Sequence, residues 1–148
     1  MTTSDYALLD SNVLVYAADN ASPYYKSSKI LRDKGIKGEI LLCVCPQVLM
    51  EFFAVITDSK RVENPIASSE AIKEVEKYLA ATYILKIYPH QNSFQKLTEL
   101  IKKYKVKRQA VFDLQLVSTA LANGINKIYT FNISDFSKFK EINVLVPK

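Results

Sequence analysis

The amino-acid sequence predicts an α/β protein in which helices cover both faces of a mainly parallel central sheet. Short apolar runs alternate along the chain with segments of helical periodicity. Such alternation implies right-handed β-α-β crossovers, which build parallel sheets. A chain of 148 residues has the size of one domain, and 3 Gly and 5 Pro leave little room for linkers. We therefore expect residues 1–148 to form a single three-layer α/β/α domain.

Five apolar runs predict the strands of this sheet. The first is short and ends at an aspartate, and the second (EILLCVC) is continuous between Gly38 and Pro46, as in a strand buried on both faces. Cys43 and Cys45 of that run share one face and are too close in sequence for an ordinary disulfide, so we expect buried free thiols. The predicted strands are residues 6–9, 39–45, 83–88, 127–131 and 143–146.

Helical periodicity fills the segments between these strands. Ser22 before a proline is a typical helix start and Gly35 a typical helix end, which predicts a helix between them. The spacing of Ile72, Val75 and Leu79 predicts a helix over residues 69–81 with these residues on one apolar stripe. The other predicted helices are residues 47–58, 94–104 and 112–123, and Gly124 closes the last of them.

Composition and charge narrow the class of protein without deciding its function. Apolar residues make up 49% and charged residues 24%, as in ordinary globular proteins. The net charge of +5 favours an anionic partner, although many basic proteins bind no nucleic acid. The sequence shows no apolar run near the roughly 18 residues of a membrane span and no signal-peptide pattern. We expect a cytoplasmic protein without membrane contact.

The first predicted strand ends at an acidic residue. Asp10 stands at the carboxyl end of a strand, where open α/β sheets bind ligands. Taken alone, it is better explained as a turn or N-cap residue. Asn12 follows two residues later, where it would either orient Asp10 or bond the loop backbone.

Three later acids occupy comparable positions. Glu51 falls on the same helical stripe as Val48 and Phe52, where an isolated carboxylate is costly to bury. A salt bridge, or a place at the margin of the stripe, explains the acid as well as a functional role does. Asp113 begins a predicted helix, a position that also suits the helix dipole. Asp135 follows the strand 127–131, where an exposed loop acid is the alternative.

The positions of the four acids agree with one another. In a parallel sheet they could converge on one edge. A cluster of carboxylates repels itself and is tolerated mainly when divalent cations neutralise it. Hard oxygen ligands without His or Cys favour Mg²⁺ or Mn²⁺ over zinc, and such a site suits the activation of water against a phosphodiester.

Four stretches of the chain match a known family in order and spacing. They are Leu8-Leu9-Asp10-Ser11-Asn12-Val13-Leu14, Glu51 on the helix after the second strand, Phe112-Asp113 at a helix start, and Thr130-Phe131-Asn132-Ile133-Ser134-Asp135-Phe136 at a strand exit. Together they resemble the PIN-domain family, and within it the VapC-type toxin ribonucleases. The resemblance runs from about residue 6 to residue 146 and implies the PIN-like three-layer sandwich.

The resemblance also implies roles for the site residues. Asp10, Glu51 and Asp113 would be the principal metal-binding acids, supported by Asn12 and Thr130. The implied reaction is hydrolysis of RNA with Mg²⁺ or Mn²⁺, in which a metal-bound water attacks phosphorus and leaves a 5′-phosphate and a 3′-hydroxyl. Asp10, Glu51, Asp113 and Asp135 would be the catalytic acids.

The fourth acidic position is open in the sequence. Many family members carry Asp where this chain has Asn132, and others have Asn there and use the later acid, here Asp135. Asn132 can coordinate through its carbonyl oxygen but brings no charge. One-metal and two-metal catalysis therefore both remain open.

A basic segment, residues 102–108, precedes Asp113. We expect Lys107 and Arg108 either to contact RNA phosphate or to be solvated, while Lys102 and Lys103 suit the end of a helix. His90, the only histidine, is expected on a surface loop.

The resemblance further implies a VapB-like antitoxin partner and a homodimer. The runner-up function is a PIN-fold module that binds RNA or protein without cutting, which Asn132 favours. The chain lacks the adjacent acidic pair that a phosphotransfer receiver domain needs near its first strand. A haloacid-dehalogenase-like phosphatase would need an Asp where Asn12 stands, so both of these functions fit poorly.

Overall fold

The computed structural model describes residues 2–148 and has a parallel sheet at its centre. All strand pairs in the sheet are parallel, and the strand order is 3-2-1-4-5 in chain numbering. The predicted α/β class is thus confirmed. The strands within residues 2–148 are β1 (Ala7–Leu9), β2 (Leu42–Val44), β3 (Leu85–Lys86), β4 (Lys127–Tyr129) and β5 (Asn143–Leu145).

Helices connect every pair of consecutive strands. The 3₁₀ helix Thr3–Asp5 precedes β1. The α-helices of the described chain are α1 (Ser11–Ala18), α2 (Tyr25–Ile36), α3 (Pro46–Ile56), α4 (Ser68–Ala80), α5 (Gln91–Tyr104), α6 (Ala110–Ala122) and α7 (Ile133–Phe136). Helix α1 contacts α2 and α3, and α3 contacts α4, whereas α6 contacts both α5 and α7 in a second group.

The strand order explains the two groups of helices. From β1 through β2 to β3 the chain moves in one direction along the sheet, and it then returns past β1 to β4 and β5. Right-handed crossovers that run in opposite directions place their helices on opposite faces. The order therefore reverses between β1 and β4, and the carboxyl ends of these two strands form the switch point at which open α/β sheets bind ligands.

The core lies on both faces of the sheet. Strands β1 and β2 are buried at every residue, as the continuous apolar runs predict. The ring of Phe52 on α3 meets the ring of Tyr78 on α4 edge to face, with centroids 6.1 Å apart. Cys43 and Cys45 are buried free thiols, as predicted. Between residues 2 and 148, no helix has both the length and the hydropathy needed to span a bilayer.

Several predicted helix ends and faces were wrong. Gly35 lies inside α2, where its missing side chain makes room for Leu42, and Gly38 (φ 78°) ends the helix instead. On α4 the predicted stripe is incorrect because Ile72 and Leu79 are 42% and 48% exposed; the buried face is Ala71, Val75 and Tyr78. Gly124 (φ 77°) follows α6 as predicted.

The predicted strands are longer than the observed ones, and two helices were not predicted. Strand β3 keeps two residues of the predicted 83–88, and β2 begins at Leu42 rather than at Glu39. Helix α1 was missed because its residues are apolar on most sides: Val13, Leu14, Val15 and Ala17 are all buried. A helix buried all round lacks the periodic contrast between apolar and polar residues that identifies a surface helix.

Candidate active site

Asp10 and Thr130 meet at the switch point between β1 and β4. Asp10 directly follows β1 and Thr130 directly follows β4, and both are buried. The Thr130 hydroxyl donates to Asp10 Oδ2 at 2.7 Å. The backbone N–H of Asp10 donates to the carbonyl of Tyr129, so backbone and side-chain bonds join the two strand ends. This pairing fixes the first predicted acid at the predicted edge of the sheet.

Asn12 holds the same two strand ends from the first turn of α1. Its amide Nδ2 donates to Thr130 Oγ1 at 3.2 Å and to Asp10 Oδ2 at 3.4 Å. Its Oδ1 accepts the backbone N–H of Phe131 at 3.3 Å. Asn12 thus both orients Asp10 and bonds the loop backbone, which were the two roles proposed for it from sequence.

Asp10 is also the N-cap of α1. Its Oδ1 accepts the backbone N–H of Ser11 at 2.7 Å. Burial raises the pKa of Asp10 above 3.8, while the bonds from Thr130 and from the Ser11 backbone oppose that rise and the charge of Glu51 adds to it. The N-cap explanation and the functional one are therefore compatible, because Oδ1 has a second lone pair beside the one that accepts from Ser11.

Glu51 reaches the site from α3 and is exposed to solvent. Of the explanations weighed from sequence, the structure places it at the margin of the apolar stripe. Ser11 Oγ donates to Glu51 Oε2 at 3.1 Å, and Gln47 Nε2 lies 3.4 Å from Glu51 Oε1. Gln47 Nε2 also donates to the carbonyl of Phe112 at 3.0 Å. A continuous path of hydrogen bonds thus links Asp10, Glu51 and the start of α6.

Asp113 completes the approach of the acids from the first turn of α6. It is half-buried, and its pKa is raised from 3.8 to about 6. Desolvation is the largest cause, followed by the negative charges of Asp135 and Asp10; Glu51 contributes less, and the positive charge of Lys138 opposes the rise. The four acids singled out in the sequence therefore lie close enough for their charges to interact.

The donor chemistry of this cluster fits a divalent cation. Desolvation first, and then the negative charges of Asp135 and Asp10, raise the pKa of Asp113, and the positive charge of Lys138 only partly offsets them. The donors are carboxylate oxygens, which hard cations prefer. Within residues 2–148, however, no three or more His, Cys, Asp or Glu side chains form a group that could hold a metal ion. The predicted shared ligation by Asp10, Glu51 and Asp113 thus stays a prediction; Mg²⁺ commonly uses one or two carboxylates and several waters.

The remaining predicted residues lie around this cluster. Asn132 is exposed, and its backbone N–H donates to Thr130 Oγ1 at 3.0 Å. Asp135 is exposed on α7. Lys107 and Arg108 are exposed in the turn that leads into α6, where Arg108 has the left-handed φ of 56°. The site therefore draws on segments that follow β1, β2 and β4 and on the start of α6.

Two residues outside the site behave as the structural explanations predicted. Lys103 lies in the last turn of α5 and forms an ion pair with Glu141 at 2.6 Å. His90 is exposed and precedes α5, and its Nε2 lies 3.2 Å from the carbonyl of Ala122.

Three residues at the candidate site were missed from sequence. Ser11 and Gln47 position Glu51, and Lys138 places a positive charge near Asp113. Ser11 stands between two residues that the motif did single out, and Gln47 precedes Glu51 by one helical turn, a spacing that brings side chains together. The position of Lys138 depends on the packing of α7 and leaves no pattern in the sequence.

Comparison with known proteins identifies the fold to which this arrangement belongs. The family model described as the PIN domain matches residues 7–142. The chain belongs to the PIN-domain family. The PIN-domain match includes all four acids of the cluster and strands β1 to β4, and it ends one residue before β5.

Relatives and solved structures agree with this assignment. The PIN domain is 24% identical over 138 residues to "Ribonuclease VapC48" of Mycobacterium tuberculosis, a match that covers 93% of this chain and 94% of the relative. Among solved structures, VapBC2 from Rickettsia felis bound to a promoter DNA fragment aligns with a TM-score of 0.68 at 17% identity, covering 97% of this chain and 99% of that one. M. tuberculosis VapC20, a sarcin-ricin loop cleaving toxin, aligns with a TM-score of 0.66 at 10% identity, covering 90% and 95%. These structural likenesses show the fold.

Proposed function

We propose that this PIN domain is a divalent-metal-dependent endoribonuclease, the VapC-type toxin of a type II toxin–antitoxin pair. The observation that carries the proposal is the meeting of four separately encoded acids around the strand switch point, where Asp113 has a pKa of about 6. The ribonuclease name of the relative that matches 93% of the chain supports the same activity. We further propose that residues 1–148 are one domain and that the protein acts in the cytoplasm.

The side chains of the site divide the work of holding the cation and orienting its ligands. Asp10 and Asp113 are the residues that would hold Mg²⁺ or Mn²⁺, with Glu51 beside them. A cation bound there would lower the pKa of water and stabilise negative charge on phosphate oxygens. Thr130 and Asn12 keep Asp10 in one orientation by donating to its Oδ2. Preoriented carboxylates need no rearrangement when substrate arrives.

Asp135 is the better candidate for the fourth acidic position. Its negative charge is the largest charge contribution to the raised pKa of Asp113, after desolvation. Asn132 has no charge to contribute, and its backbone N–H supports Thr130 instead. We propose that Asp135 supplies the fourth carboxylate and that Asn132 has a supporting role.

Lys107 and Arg108 are proposed to contact phosphates of the RNA. They are exposed and precede the helix that carries Asp113 in its first turn. Each phosphate contact on single-stranded nucleic acid changes the slope of log affinity against log salt by about 0.7. The double variant Lys107→Ala/Arg108→Ala should reduce the slope by about 1.4, and an unchanged slope would contradict the contact.

Ribonuclease assays with the purified protein test the main proposal. We expect cleavage of RNA in Mn²⁺ or Mg²⁺, loss of cleavage in EDTA, and loss in Asp10→Asn. Glu76→Gln is the matched control because Glu76 is an exposed acid on α4, outside the cluster. Cleavage that survives Asp10→Asn would come from a contaminant and would refute the proposal. Metal-dependent RNA binding without cleavage would favour the non-cutting module.

The toxin role has a separate test in cells. Expression of the chain alone should slow growth, and co-expression of the small protein encoded next to it should restore growth. The Asp10→Asn variant should be harmless in both cases. Normal growth on expression of the unaltered chain would argue for a PIN protein that is not a toxin.

A homodimer remains a prediction with structural support. Met50, Leu79 and Tyr88 are 52%, 48% and 56% exposed and line an apolar cavity of about 200 Å³ beside α3 and α4. Exposed apolar side chains in a contiguous group commonly mark protein contacts. Sedimentation should give a dimer at micromolar concentration, and a monomer there would contradict the prediction.

A further inference from the structure

Three aromatic side chains form a cluster beside the acidic site. Tyr16 on α1, Tyr24 at the start of α2 and Phe131 after β4 are in mutual contact, with ring centroids 5.1 Å apart for Tyr16–Tyr24, 5.2 Å for Tyr16–Phe131 and 4.6 Å for Tyr24–Phe131. We call this group the aromatic platform. Tyr24 is 46% exposed, so about half of its surface faces water although its ring is held by two others.

The aromatic platform is continuous with the site. Phe131 follows Thr130 in sequence, and its backbone N–H donates to Asn12 Oδ1. Tyr16 stands four residues after Asn12 on α1, a spacing that puts the two side chains on one helix face. Asn12 and Thr130 both donate to Asp10. The platform is therefore linked to the buried carboxylate of Asp10 in two ways, through Asn12 and through Thr130.

The ring of Tyr24 packs against two other rings, and hydrogen bonds hold the backbone that carries it. Ser22 Oγ accepts the backbone N–H of Tyr24 at 3.0 Å, and the Tyr24 carbonyl accepts the backbone N–H of Ser28 at 3.1 Å. A ring fixed before binding loses little conformational freedom when a ligand stacks on it. A partly exposed aromatic side chain beside the acidic cluster offers the kind of surface on which unpaired nucleobases stack.

We propose that Tyr24, supported by Tyr16 and Phe131, stacks on an unpaired base of the RNA next to the bond that is cut. The proposal rests on the ribonuclease function and assigns Tyr24 as the residue that positions the nucleotide next to the cut. Stacking tolerates every base, so the platform selects for an unpaired nucleotide rather than for a sequence.

Tryptophan fluorescence tests the stacking directly because the chain contains no Trp. The Tyr24→Trp variant, made in an Asp10→Asn background that cannot cut, should lose fluorescence when a single-stranded oligoribonucleotide binds. Tyr83→Trp is the matched control, since Tyr83 is 60% exposed and packs beside Gly38, away from the platform. Equal quenching in both variants, or none in Tyr24→Trp, would overturn the proposal.

Kinetics supply the second readout. Tyr24→Ala should raise KM for single-stranded RNA by about tenfold, and Tyr24→Phe should recover most of that loss because it keeps the ring. An abasic nucleotide next to the cut should remove the difference between the unaltered protein and Tyr24→Ala. An unchanged KM in Tyr24→Ala with weakened antitoxin binding would make the platform a protein contact and refute base stacking.

The two proposals fail in distinguishable ways. If the unaltered protein cuts RNA but Tyr24→Trp does not respond and Tyr24→Ala is normal, only the stacking proposal falls. If the unaltered protein neither cuts nor binds any RNA tested, the ribonuclease proposal falls and stacking falls with it.

Discussion

Replacing Thr130 by Val removes one hydroxyl from the centre of the site at nearly constant volume. That hydroxyl donates to Asp10 Oδ2 at 2.7 Å inside the protein, where water does not replace it. A hydrogen bond to a charged group contributes about 1.5–3 kcal/mol. The amide of Asn12 and the N–H of Asn132 also lose an acceptor, but both residues reach solvent, so they add little. We expect Thr130→Val to lower the free energy of unfolding by about 2 kcal/mol at pH 7, or Tm by about 4–8 °C.

The pH dependence of that loss separates the charged bond from simple repacking. Burial raises the folded-state pKa of Asp10 above 3.8, so its ionisation costs stability as pH rises from about 4 through the folded pKa. Loss of the Thr130 bond raises that pKa further and extends the cost to higher pH. Urea unfolding of the metal-free protein should therefore show a large deficit at pH 7 and a smaller one near pH 4, with Thr130→Ser as the control that keeps the hydroxyl. A deficit of equal size at both pH values, or none at pH 7, would refute the reasoning.

Three further predictions concern charge and packing. Asp113→Asn should abolish cleavage yet stabilise the metal-free protein, because the asparagine does not ionise. The rise in the pKa of Asp113 from 3.8 to about 6 corresponds to about 3 kcal/mol of lost stability when the carboxyl ionises. Water reaches this half-buried group, which reduces that loss to about 1 kcal/mol. The gain should appear as pH rises from about 4 to 6 and stay constant above, as pH-dependent urea unfolding would show; a gain at pH 4 would contradict it. Lys138→Ala should tighten binding of Mn²⁺ in calorimetry, because the positive charge of Lys138 repels a cation and partly neutralises the acids near Asp113. Weaker binding would count against this prediction. Gly35→Ala should lower Tm by a few degrees, because its new methyl would lie 2.4 Å from Leu42 Cδ1. The overpacking cost of about 1–3 kcal/mol exceeds the gain in helix propensity of up to about 1 kcal/mol. A higher Tm would show that the Leu42 side chain moves aside at little cost.

Local patterns in the sequence were sufficient for the order and type of most elements. The apolar runs at β1 and β2 predict buried parallel strands because both faces of such strands are covered. The run at β1 also places Asp10 at a strand end, whereas the predicted strand 127–131 ran past Thr130, which directly follows the observed β4. Patterns did not predict α1, because its residues show little contrast between apolar and polar positions. They also misplaced the end of α2, because Gly35 is needed inside that helix to make room for Leu42, a contact that the sequence does not show.

The sequence by itself determined which residues of this protein are candidates for the chemistry, because carboxylates at strand exits and helix starts are visible in the order of the chain. Only the tertiary structure decided how they act on one another. The return of the chain past β1 to β4 brings Thr130 onto Asp10, and the packing of α6 and α7 brings the charges of Asp135 and Lys138 to Asp113. The pKa of a carboxyl group depends on burial and on charges close in space, which are set by folding rather than by position along the chain.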